Sequence, residues 1–202
     1  IVESRILPSH LRQKDKDDKL GILDVRVLLN NKEQIDIEIQ VTSSEYWAER
    51  TLFYLGKMFV DQLKPGEDYQ KLEKCIHVGI LNFTLFDDEE YYSRFHFWSD
   101  QGRKMYSDKF EIHTLELPKL AKHEYPETEL LKWLQFINAE TKEEFEMAAE
   151  KSEYIKKAYE DLNRISADEE KRLEYEARER AIRDHQYFST VYKETGLREG
   201  RK

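Results

Sequence analysis

Residues 22–29 read Ile-Leu-Asp-Val-Arg-Val-Leu-Leu and, after the polar stretch 30–34, residues 35–41 read Ile-Asp-Ile-Glu-Ile-Gln-Val. Both alternate with a period of two, the pattern of half-buried strands. In the second, Ile35, Ile37, Ile39 and Val41 share one face, while Asp36, Glu38 and Gln40 share the other. In the first, Asp24 and Arg26 share a face. Paired as a hairpin, the two segments bring Asp24 close to Glu38 on the polar side of a small sheet. Neighbouring carboxylates repel unless a positive charge neutralises them. A hard divalent cation such as Mg²⁺ does so with oxygen ligands and retained waters. Such a site suits cleavage of a phosphodiester.

Asp24 followed by Glu38-x-Gln40 at the end of the next strand resembles the pattern of the PD-(D/E)XK nuclease superfamily. Further segments extend the likeness. They are Asp18-Lys-Leu-Gly-Ile-Leu-Asp24, Arg50-Thr-Leu-Phe-Tyr54-Leu-Gly-Lys57-Met, Gln62-Leu-Lys-Pro-Gly-Glu-Asp-Tyr69 and Ile165-Ser-Ala-Asp-Glu-Glu. The series resembles the bacterial recombination-promoting nucleases, also described as PD-(D/E)XK nuclease family transposases, over residues 5–200. Its most specific parts are the strand pair and the Arg-x3-Tyr-x2-Lys helix.

The resemblance implies an α/β fold: a restriction-endonuclease-like mixed central sheet flanked by helices, with an all-helical C-terminal extension. The nuclease-like core is expected over residues 1–125 and the helical region over 126–202. The family normally carries a further N-terminal helical segment, and a chain beginning at Ile1 is expected to lack it. The resemblance also assigns roles. Asp24 and Glu38 bind metal, the Ile39 carbonyl is a third ligand, and Gln40 stands where the superfamily usually has Lys. Gln40 cannot act as a charged electrophile or general base, so it orients the attacking water by hydrogen bonds.

A net charge of −9 is unusual for a nucleic-acid enzyme, because phosphate binding favours a basic footprint. Acidic side chains outnumber basic ones in both halves of the chain, so DNA contact must come from a local patch and the metal. The single cysteine, Cys75, excludes an internal disulfide and lies in an apolar run, as a buried structural thiol does. No Cys/His cluster has zinc spacing, no apolar run is long enough to span a membrane, and a reducing cytoplasm fits.

Residues 8–19 are polar and mixed in charge, and read as a mobile approach to the first strand. Residues 44–63 predict a helix capped by Ser43 or Ser44, with Ala48, Leu52, Leu55, Phe59 and Leu63 turned to the sheet. Pro65-Gly66 ends it. Strands are expected over 75–86, 93–99 and 109–117, with the acidic loop Asp87–Glu90 as a solvated turn. From Pro126 the chain reads as helical. Glu127–Asn138 is amphipathic, and Thr141-x-x-Glu144 and Ser166-x-x-Glu169 are capping boxes. Ile155, Ala158, Leu162 and Ile165 form a short stripe, too narrow for a core of its own. The helix with Leu130, Leu131, Trp133, Leu134 and Ile137 is expected to dock on the sheet or its cover helix, and the later helices on each other or on a second chain as a homodimer.

Arg50, Tyr54, Lys57 and Asp61 share one helical stripe, on which Arg50 or Lys57 holds a phosphate oxygen or supplies the charge Gln40 lacks. A solvated face with an i,i+4 pair is the plainer reading of that stripe. His77, His96 and His113 read as structural histidines. Tyr91, Tyr92, Phe95, Phe97 and Trp98 read as packing residues rather than base-stacking ones. The function expected is a Mg²⁺-dependent DNA endonuclease linked to recombination or mobile elements. A nuclease relic serving as a DNA- or protein-binding scaffold, and an RNA or nucleotide phosphodiesterase, are the alternatives.

Overall fold

The computed structural model describes residues 3–9, 11 and 23–168. The chain divides into two compact units, Ile1–Pro126 and Glu127–Lys202. The first holds a mixed six-stranded sheet of β1 (Ser4–Leu7), β2 (Val25–Leu29), β3 (Gln34–Gln40), β4 (Cys75–Leu81), β5 (Tyr92–Trp98) and β6 (Met105–Glu116), in the order β1-β2-β3-β4-β6-β5. The hairpin has the register the alternation requires, with Val25 opposite Ile37 and Arg26 opposite Asp36. Asp24 lies one residue before β2, and Glu38 one residue beyond the stretch of β3 paired with it. β3 and β4 are parallel, and the crossover between them carries α1 (Trp47–Val60), as a parallel pair demands. β1 was not anticipated. It pairs antiparallel with β2, Ser4 opposite Leu29 and Leu7 opposite Arg26. Most of the expected mobile approach lies outside the described residues. Leu11 within it is buried, in one cluster with Leu23, Leu55, Met58 and Cys75.

The polar side of β3 is the buried one. Asp36 and Glu38 are 0% and 1% exposed, while Ile39 is 51% exposed on the opposite face. α1 lies over the polar side, and it is rotated from the expected orientation. Trp47, Thr51, Leu55 and Met58 are its buried residues, whereas Leu52 is exposed. The reason is chemical. A face bearing Asp36, Glu38 and, in register on β4, His77 needs hydrogen-bond donors and aromatic surface above it, which Thr51, Arg50 and Trp47 supply and Ala48 and Leu52 cannot. The predicted caps also differ. Tyr46 is the N-cap residue, without a side-chain bond, and Ser44 stays outside the helix. Gly79, opposite Glu38, makes room for this arrangement, because a Cβ there would lie 2.6 Å from Trp47 Cζ2.

Two polar knots fasten the far half of the sheet. Glu111 on β6 accepts from Lys74 (3.1 Å), His96 (3.1 Å) and His113 (2.7 Å), joining β5, β6 and the start of β4. His96 sits at an irregularity in the β5–β6 pairing. Burial works to raise the Glu111 carboxyl, but Lys74 and His113 outweigh it and hold it at about 2. Glu116 takes the backbone N–H groups of Leu85 (2.6 Å) and Phe86 (3.3 Å) and the Lys119 ammonium (3.1 Å). Lys119 also reaches Asp88 in the acidic loop (2.7 Å), so that turn is tied down as well as solvated. Cys75 is buried, its thiol pushed up to about 12 mainly by burial, which makes it structural as expected.

The second unit holds α2 (Glu129–Ile137), α3 (Lys142–Ala149) and α4 (Glu153–Ala167). Thr128 caps α2, and the Thr141–Glu144 capping box is present. Ser166 begins no helix where its box was expected. It lies in the last turn of α4, and Glu169 is outside the described residues. Phe136, Phe145 and Tyr159 form an aromatic chain across the three helices, and Ile155 is fully buried. Leu162 and Ile165 remain exposed.

Two glycines give opposite expectations. Gly79→Ala should cost about 1–3 kcal/mol by overpacking against Trp47. Gly56→Ala, inside α1 with nothing within 4 Å of the new Cβ, should gain about 0.5–1 kcal/mol. Urea unfolding of both variants checks the signs. A depressed carboxylate stabilises above its unfolded value and loses that stabilisation as pH falls through the folded one. The wild type's advantage over Glu111→Gln, about 1–2 kcal/mol after allowance for solvent screening, should therefore be full above pH 4.5 and vanish toward pH 2. Denaturation curves at pH 7, 4 and 2.5 measure it.

Candidate active site

β2 and β3 converge on the predicted residues at the Asp24 end of the hairpin. Asp24 lies just before β2, and its Oδ2 accepts the backbone N–H of Ile39 (3.0 Å). That bond follows from the strand geometry. Even-numbered residues of β3 bond across to β4, as in Asn82 N–H to Gln40 O (2.9 Å), so Ile39 directs its backbone groups toward the Asp24 side. Glu38 projects beneath α1, where its Oε1 accepts from Arg50 Nη2 (3.0 Å). Its Oε2 is buried and has no hydrogen-bond donor. Burial raises the Glu38 carboxyl above the ordinary carboxylate range, Arg50 opposes the rise, and Asp36 adds to it. Burial works to lower Arg50, but the bond to Glu38 prevails and raises it.

The other predicted residues divide. Arg50 reaches the site, with its guanidinium carbon 5.7 Å from the ring centroids of both Trp47 and Tyr54. Tyr54 therefore flanks Arg50 and packs on the core cluster. Lys57 lies over the Phe53 ring, 5.8 Å from its centroid. Gln40 turns back along its own strand, and its Nε2 donates to Thr42 O (3.0 Å).

A second polar link lies beside the first, and the sequence pattern did not indicate it. His77 Nδ1 donates to Asp36 Oδ2 (2.7 Å), and its Nε2 shares a hydrogen bond with Thr51 Oγ1 (3.4 Å). The order Thr–His–Asp matches that of hydrolytic triads, but all three are at most 2% exposed, so no substrate reaches Thr51. The link is structural, as expected for His77. Consecutive residues of α1, Arg50 and Thr51, thus hold the two carboxylates of β3, one directly and one through His77. Asp36-x-Glu38 is visible in the sequence, but only the parallel register of β3 on β4 sets His77 beside Asp36.

Among the described residues no three His, Cys, Asp or Glu side chains are grouped to hold a metal. A Mg²⁺-type site does not need three, since one or two carboxylates with waters and substrate oxygens suffice. The unpaired, buried Glu38 Oε2 and the neighbouring Asp24 fit that donor set.

The model of the PD-(D/E)XK nuclease family transposases matches residues 1–190. The chain belongs to this family. Its mixed six-stranded sheet and helices agree with the restriction-endonuclease-like fold, and the family is one of nucleases linked to transposition. No curated protein and no solved structure matches the chain. No helix among the described residues is long and apolar enough to cross a membrane.

Loss of Arg50 leaves Glu38 buried without its cation, and that loss depends on the charge of Glu38. Arg50→Ala should cost about 1–3 kcal/mol at pH 8, less than a fully buried pair because Arg50 is partly exposed. The cost should be smaller at pH 5 than at pH 8, because without Arg50 burial raises the Glu38 carboxyl further and proton uptake then relieves the buried charge. Unfolding of wild type and variant at both pH values measures it, and an equal loss at both would refute the account.

Proposed function

We propose that this family member is a divalent-cation-dependent DNA endonuclease, with Asp24, Glu38 and the Ile39 carbonyl as the cation's protein ligands. The observation that supports this most is the buried Glu38 Oε2 without a donor, while the Asp24 carboxylate is bonded to the backbone amide of the next residue, Ile39. A buried carboxylate oxygen with no donor is costly unless a cation or water meets it. Asp24, Glu38 and the Ile39 carbonyl would hold Mg²⁺ there, which would offset both carboxylates and supply Lewis-acid activation of a water and of a phosphate oxygen.

The chain's own residues then divide the remaining work. Asp24 is kept in place by the Ile39 N–H, so the pair does not depend on a flexible side chain alone. Gln40 keeps its carbonyl oxygen to accept a hydrogen bond from a water and so orient it. Arg50 brings the positive charge that a lysine at position 40 would have brought, in a planar form suited to a phosphate. Tyr54 and Lys57, on the same helical face, extend the substrate side, with Lys57 as a point charge. DNA is the substrate favoured by the family's link to transposition. The exposed Leu162 and Ile165 of α4 favour a self-associating second unit, and light scattering of the chain decides between homodimer and monomer.

One observation favours the scaffold alternative: Glu38 and Gln40 both already have protein partners. Nicking of supercoiled plasmid separates the readings. Wild type should nick in Mg²⁺ and not in EDTA. Asp24→Ala and Glu38→Ala should lose at least about 100-fold in rate, in line with loss of a principal transition-state charge stabiliser, with an unchanged circular dichroism spectrum. Wild-type rates in either variant would refute the site. An inactive wild type that still binds DNA would support the scaffold. A parallel assay on RNA reads the phosphodiesterase alternative.

A further inference from the structure

The setting of Arg50 is more elaborate than an ion pair requires. Its guanidinium lies 5.7 Å from both the Trp47 and Tyr54 ring centroids. Trp47 occupies its place only because Gly79 has no side chain. Of the three guanidinium nitrogens, only Nη2 is bonded to Glu38, and Nε is buried with no acceptor. The side chain is nonetheless 36% exposed, so part of the group faces outward. Rings on the flanks restrain a planar cation without consuming its N–H donors, which a point-charge ammonium cannot exploit in the same way.

Electrostatics gives this arrangement a consequence. Arginine does not lose its proton in proteins. If a divalent cation neutralises Glu38 and Asp24, Arg50 keeps its charge, loses its counter-ion and stands beside a second positive centre. The nearest anion that relieves it is the phosphate of the substrate. Resting on the nuclease reading above, we infer that Arg50 serves two partners in turn, Glu38 in the metal-free protein and a phosphate oxygen in the loaded one, with Trp47 and Tyr54 as the positioning residues that hold its plane through the exchange. Glu38 is thereby kept neutralised until the cation arrives. Cation and phosphate become mutually supporting ligands, because the first frees the group that takes the second.

The test uses Ca²⁺ as the probe and calorimetry at pH 8 as the readout, without DNA and without turnover. Arg50 competes with the cation for Glu38, so Arg50→Gln should bind Ca²⁺ more tightly, on the order of tenfold, while nicking plasmid more slowly than wild type in Mg²⁺. A residue needed only for folding would weaken both. Tyr54→Leu should shift Ca²⁺ affinity in the same direction by a smaller factor, and Tyr54→Phe, which keeps the ring, should restore the wild-type affinity. With Trp98 and Trp133 replaced by phenylalanine, Trp47 is the one remaining indole. Its emission should respond to Ca²⁺ with Arg50 present and stay flat in Arg50→Gln. Ca²⁺ binding that is unchanged or weaker in Arg50→Gln, or a silent Trp47 in the wild type at saturating Ca²⁺, overturns the exchange alone. A wild type that binds no Ca²⁺ overturns it together with the metal reading.

Discussion

Asp36 and Glu38 are two carboxylates on one strand face, pressed under a helix instead of facing water. Leaving either charged and unaccompanied in that position would cost more than a typical side-chain contact returns. Each is therefore given a nitrogen partner, and the partners fix everything around them. Glu38 takes Arg50 from the helix, and Asp36 takes His77 from the neighbouring strand, which in turn is held by Thr51. These two links set the rotation of α1 about its axis. They also place Trp47 over Gly79 and leave Leu52 outside. The helix is seated by polar chemistry at its first turns and by Leu55 and Met58 further along, where the sheet face becomes apolar around Cys75.

The same constraint reconciles an acidic chain with a phosphate-cleaving family. A net charge of −9 repels nucleic acid at long range. Close to the site the balance differs, because the guanidinium is already paired with the carboxylate that a cation would take over. On the proposed exchange, attraction to a phosphate would be conditional on the state of the site and not a standing property of the surface. Weak, salt-sensitive affinity combined with strong dependence on a divalent ion is the expected character of such a molecule.

Much of this was legible before any coordinates, and the boundary is instructive. Period-two alternation located β2 and β3 and the hairpin register that sets Val25 opposite Ile37 and Arg26 opposite Asp36. The Thr141–Glu144 box marked the start of α3 because its bonds are local. Alternation says which residues share a face but not which face a helix will cover. Here the charged side of β3 is the one under α1. The rotation of that helix is not readable from the sequence for the same reason. An apolar stripe was sought, whereas the sheet presented carboxylates, and Arg50 and Thr51 answered them. His77 beside Asp36 and Glu111 among Lys74, His96 and His113 join residues far apart in the chain. Only strand order and register bring them together. β1 escaped notice because Ser4–Leu7 is too short to show a period.

Gly79 and Trp47 stand 32 positions apart, yet their packing is coupled. An alanine or serine at position 79 would crowd the indole above it, and a smaller residue at position 47 would relieve that crowding. Arg50 would then be flanked on one side only. Conversely, a glycine retained in the middle of a buried strand, where it weakens the sheet, makes sense chiefly as the hollow that accepts that ring. The two positions act as one packing unit, and a change at either loosens the grip on the guanidinium three residues further along the helix from Trp47.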